Sequence, residues 1–160
     1  MADDHEGVPS TAAVAGHPIH PMLVPFPIAF LVGALATDLV FWWTGDAFWA
    51  RGSFWLIASG LVMGLVAAVF GFTDFITIQR ARESVHGWIH FLGNAIVLLL
   101  ALLNLLLRLD NPAAALPWGL PLSLITAALL GVTGWMGGEL AYRHKIGVAG
   151  HAEPGYGGRF

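Results

Sequence analysis

The sequence predicts an all-α integral membrane protein, a four-helix bundle with both termini on the same side of the bilayer. Three observations predict it. Charged residues make up only 11% of the 160 and hydrophobic ones 57%, whereas a soluble domain carries roughly a quarter charged residues. Four charge-poor apolar stretches each reach the ~20 residues a helix needs to cross ~30 Å of hydrocarbon. Lysine and arginine are unevenly shared between the two sets of loops that four spans create. Arg80, Arg82, Arg143, Lys145 and Arg159 fall on one side, against Arg51 and Arg108 on the other. That bias marks the first side, with both termini, as cytoplasmic.

The elements follow in chain order. Residues 1–15 are polar and acidic at the start and read as a flexible tail. A secretory signal needs a basic start and an apolar run, and this stretch has neither, so the first span is expected to serve as its own uncleaved insertion signal. Residues 16–148 form the membrane domain, and 149–160 a second flexible tail. The spans are Met22–Trp43, Phe54–Thr77, His86–Leu107 and Pro117–Tyr142. Proline is tolerated only in the first helical turn, so Pro21, Pro25 and Pro27 delay the regular helix of the first span toward Pro27. Trp42, Trp43, Phe48, Trp49, Phe54, Trp55 and Trp118 gather at the non-cytoplasmic side, as an interfacial aromatic belt does.

Two spans carry small residues at helical spacing. They are Gly60, Gly64, Ala67 and Gly71 ahead of Asp74 in the second, and Ala127, Gly131, Gly134, Gly138 and Ala141 in the fourth. In lipid, such stripes let backbones approach closely. They are expected to serve tight helix packing, or to clear room for a flat macrocycle. They also suit self-association, so a homo-oligomer is among the expected partners, after the lipid bilayer itself.

All seven histidines lie on one predicted side. His5 and His151 sit in the tails and are expected to be solvent-exposed. The run Gly16-His17-Pro18-Ile19-His20-Pro21 places each histidine before a proline, which biases it toward extended geometry. His86 and His90, at i and i+4, share a helix face with Asn94 and Asn104. Gly87 leaves space beside them. His144 ends the last span next to Arg143 and Lys145. Imidazole is the commonest metal ligand and a frequent haem ligand. His17, His20, His86, His90, Asn94 and His144 are therefore the candidate cofactor-binding residues. His20 and His90 are the favoured metal ligands. Asp74 and Glu139 are candidate partners for a histidine ring N–H, or for Arg80 and Arg143.

Composition also excludes. With no cysteine, disulfides, iron–sulfur ligation, covalent c-type haem and thiol catalysis fall away. No basic block supports a nucleic-acid partner. No phosphate-binding loop, Ser-His-Asp set, His-Glu-x-x-His motif or inverted repeat is visible.

The run from Gly16 to Ile28, Asp38, the His86–His90 motif and Gly137–His144 resemble the bacterial membrane family catalogued as domain of unknown function 2231, over residues 16–148. The resemblance implies a multi-pass protein of the bacterial inner membrane. Some members fused to Rieske or cytochrome-type domains imply a redox setting, although this chain carries neither appendage.

Three functions stay open. One is b-type haem binding for electron transfer, with a quinol or redox protein as partner. Another is a non-haem zinc, iron or copper site built from His17, His20, His86 and His90 with Asp74 or Glu139. The third is a cofactor-free subunit or assembly module. Whether the chain is an enzyme is undecided by its sequence.

Overall fold

The computed structural model describes residues 7–148, so His5 and His151 lie outside the described residues. A β-hairpin of β1 (Ala13–Val14) and β2 (His17–Pro18) leads into a short helix α1 (Ile19–Leu23). There follow α2 (Pro25–Thr44), α3 (Ala47–Thr77), α4 (Gln79–Glu83), α5 (Val85–Leu106), a 3₁₀ turn (Pro112–Ala115) and α6 (Gly119–Tyr142). Four helices are long and apolar enough to cross a bilayer, with α1 and α2 together making the first.

Local chemistry sets most boundaries. Ala15 and Gly16 both have positive φ (49° and 79°), as a two-residue type I′ hairpin turn requires. Gly45 closes α2 in the left-handed conformation, where a glycine meets no Cβ penalty. Asp46 immediately caps α3, its side chain accepting from the Phe48 N–H at 2.9 Å. The second span therefore starts at Ala47, not at Phe54 as its sequence suggested. Its 31 residues extend about 46 Å, longer than the ~30 Å of hydrocarbon, and the added turns carry Phe48 and Trp49. Trp42, Trp43, Trp55 and Trp118 are exposed, as a belt requires. Ser84 caps α5 through the His86 N–H.

Around the bundle the order is α2, α3, α5, α6, with α2 diagonal to α5 and α3 diagonal to α6. The core is a thin layer of Leu31, Ala34, Ile57, Leu61, Val97, Ala101 and Leu130, and the larger apolar residues mostly face outward toward lipid. The α3 stripe does pack inward: a Cβ on Gly60 would meet the Leu31 side chain, and one on Gly64 that of Leu98. The α6 stripe does not. Gly131 and Gly134 are exposed with nothing within 4 Å of an added Cβ. The inward face of α6 is instead Ser123, Thr126, Leu130 and Thr133, because polar groups at membrane depth are stable only inside the bundle.

Both described ends meet at one end of the bundle. Val8 bridges Ile146, with Val8 N–H donating to the Lys145 carbonyl and Gly147 N–H to that of Val8.

Candidate cofactor site at the histidine end of the bundle

His20 stands in the first turn of α1, although the following Pro21 disfavours helical geometry there. Tertiary contacts outweigh that local bias. Its Nδ1 lies 2.9 Å from the Ala67 carbonyl of α3, and its ring packs on Gly71, where an added Cβ would stand 2.7 Å away. His90 is held in the same manner from the other diagonal. Its Nδ1 lies 2.8 Å from the Thr133 carbonyl of α6, and an added Cβ on Gly137 would stand 2.9 Å from the ring. The two ring centres are 6.1 Å apart with planes at 87°. A carbonyl can only accept, so each Nδ1 carries a proton, and in the neutral ring Nε2 then holds the lone pair.

Asn94 supports His90. Its amide donates to the His90 carbonyl at 2.8 Å, and its Oδ1 accepts from the Thr133 hydroxyl at 3.3 Å. The amide nitrogen is 3.4 Å from both ring nitrogens of His90.

The remaining candidates separate. His86 and His144 form a second pair, with His86 Nδ1 3.3 Å from His144 Nε2 and ring centres 5.2 Å apart. His17 is exposed, and its Nδ1 meets the carbonyl of Ala15 in its own turn. Gly87 does not open space beside the histidines, since an added Cβ there would run into the Ala81 carbonyl of α4.

Neither acidic candidate reaches a histidine among the described residues. Asp74 accepts from the hydroxyls of Ser10 and Thr11 and from the backbone N–H groups of Thr11 and Ala12, at 2.7–3.0 Å. Those bonds tie down the second half of the segment expected to be a free tail. The Ala12 carbonyl then accepts from the Ile19 N–H, just ahead of His20. Glu139 pairs with Arg143 at 3.0 Å, one of the two partners its sequence allowed. Among the described residues, no group of three or more histidines and carboxylates is placed to hold a metal. The mixed site of four histidines and a carboxylate is thus not assembled.

Sequence reasoning counted Arg108 as a loop charge, yet it is wholly buried. Its guanidinium donates to both Asp38 oxygens (2.7 and 2.8 Å), to Ser53 (2.8 Å) and to Asn104 (2.8 Å). Ser123 donates to Asp38 at 2.6 Å. A signal was present. Asp38 lies 18 positions after His20, and Arg108 lies 18 positions after His90. Eighteen residues are five turns at the helical repeat, so each span, from His20 in α1 through α2 and from His90 in α5 to Arg108 just past its end, sets its histidine and its charge toward the same side. The first and third spans run in the same direction across the diagonal, so their parallel pairing sets His20 against His90 at one end and Asp38 against Arg108 at the other.

No curated protein and no solved structure matches this chain. Residues 16–150 match the family described as predicted membrane protein (DUF2231). With that match covering most of the sequence and four membrane-length helices in one bundle, the chain belongs to this family of integral membrane proteins.

Proposed function

We propose that the protein binds one b-type haem between His20 and His90 and passes electrons at the histidine end of the bundle. The observation that carries this is the His20–His90 pair itself. Two imidazoles that held one ion between them, at about 2.0–2.1 Å from each ring nitrogen, would have their ring centres about 6 Å apart when the two face one another across it. The observed 6.1 Å fits that spacing, whereas a tetrahedral ion would bring the centres to about 5 Å. The rings come from diagonal helices, the arrangement in which bundles hold cofactors in their core. Each backbone carbonyl fixes a ring's tautomer and makes its Nε2 a better donor. Gly71 and Gly137 give the rings their seats.

Haem, when bound, supplies the one-electron chemistry. The chain's own residues hold and orient it: His20 and His90 as ligands, Asn94 and Thr133 as supports of His90. A quinol or a redox protein is the electron partner, reached from the end where both described termini lie. Arg80, Arg82, Arg143 and Lys145 lie in the segments at that end, against Arg51 and a buried Arg108 toward the other, which supports its facing the cytoplasm from a bacterial inner membrane.

The test is a visible spectrum of detergent-purified protein from haem-replete cells, oxidised and then dithionite-reduced. The expected result is a Soret band with sharp reduced α and β bands, lost or turned high-spin in His20→Ala and in His90→Ala. A flat wild-type spectrum overturns the haem reading. Elemental analysis would then separate zinc, iron or copper on the same two nitrogens from a cofactor-free assembly module.

A further inference from the structure

We propose that His86 and His144 form a second, surface metal-ion site, which takes zinc or a similar borderline divalent ion and clamps the start of α5 to the segment that follows α6. The two residues are 58 positions apart in sequence, yet each turns one ring nitrogen toward the other.

Their separation is the reason. At 3.3 Å the two nitrogens are farther apart than the ~2.9–3.0 Å usual for a protein hydrogen bond from nitrogen. Two imidazole nitrogens at about 2.0–2.1 Å from one ion, at the tetrahedral angle, lie about 3.3–3.4 Å apart, with ring centres about 5 Å apart. The observed ring spacing is 5.2 Å. This pair therefore has the tetrahedral bite that His20 and His90 lack.

Both nitrogens are placed by their surroundings. Ser84 caps the turn that carries His86. The His144 backbone is held at both ends: its N–H donates to the Glu139 carbonyl, and its own carbonyl accepts from Arg80 at 3.2 Å. Both rings are only half-buried, so water can complete the shell of a two-histidine site, which has one protein ligand fewer than the three of an open catalytic zinc site. Imidazole nitrogen selects zinc, copper or nickel over magnesium or calcium. On binding, His86 Nδ1 and His144 Nε2 give their lone pairs to the ion, and each neutral ring keeps its proton on the opposite nitrogen.

The test is a calorimetric titration of zinc chloride into the full-length, tag-free, metal-stripped protein in detergent. One zinc per chain is expected, with a zinc-dependent rise in melting temperature. Loss of an outer partner of a metal ligand costs about 10–100-fold in affinity, so loss of a ligand costs at least that. Affinity should fall by that much in His86→Ala and His144→Ala. His144→Gln keeps a polar side chain for folding and should lose zinc equally. His20→Ala should retain it, which separates this site from the haem pair. Absence of zinc binding by the wild type, or unchanged affinity in the His86 and His144 variants, overturns the proposal.

Discussion

Arg108 and Asp38 meet through two parallel hydrogen bonds of 2.7 and 2.8 Å, both side chains at zero exposure, and so join helices that are diagonal across the bundle. Ser53 and Ser123 reach the same charges from α3 and α6, and Asn104 from α5. One ion pair thus draws on all four spans.

Breaking that pair from one side leaves an uncompensated buried charge, which costs about 3–5 kcal/mol. Asp38→Ala and Arg108→Ala should each lower the melting temperature in detergent sharply. Replacing both, as in Asp38→Leu with Arg108→Met, should cost less than either single change. A double variant as unstable as the sum of the singles would show that the charges act separately.

Glycines of the membrane helices should divide by the face they occupy. Gly71→Ala and Gly137→Ala push a methyl into the His20 and His90 rings, and should weaken or abolish the Soret band. Gly131→Ala and Gly134→Ala meet open space and should leave it intact, with stability unchanged or raised by up to about 1 kcal/mol per site. Equal spectral loss in all four would sink the seat argument.

Asp74 is the anchor of the N-terminal segment. Asp74→Ala removes every acceptor that Ser10, Thr11 and Ala12 share there. Amide hydrogen exchange over residues 8–18 should quicken markedly, while exchange within α3 and α5 stays slow. Unchanged protection of residues 8–18 would mean that the Val8 bridge to Ile146 holds the segment unaided.

Thr126 has a buried hydroxyl with no hydrogen-bond partner among the described residues. An unpaired buried polar group costs about 1–3 kcal/mol. Thr126→Val should therefore be neutral or stabilising by about 1 kcal/mol in thermal unfolding. A clear loss of stability would mean that the hydroxyl is bonded.

The bundle was legible because its causes are local. Long charge-poor runs can be stable as helices only in lipid, and proline, glycine and capping side chains mark their ends. The second span, α3, was cut short because Arg51 and Gly52 look like a loop, whereas an Asp46 cap carries the helix through them. The site was legible in part. The histidines and Asn94 stand out by type and spacing, but their pairing depends on helix order around the bundle, which no local pattern states. Hence His144 turned out to face His86, and His17 neither pair. Arg108 was missed because an arginine at a span's end ordinarily belongs to the interface. The α6 stripe misled because small residues permit close packing on either face, and only the neighbouring Ser123, Thr126 and Thr133 say which face turns inward.

The matched 18-residue spacing has a mechanical consequence. About 27 Å at the helical rise separates the ion pair from the facing imidazoles, along the same two diagonal spans. The charged end is cross-braced by hydrogen bonds in several directions, while across that diagonal the other end sets only two ring edges opposite one another. Among the described residues the diagonal is thus clamped directly at Asp38 and Arg108 alone, while His20 and His90 keep their places through the helices beside them, by the Ala67 and Thr133 carbonyls.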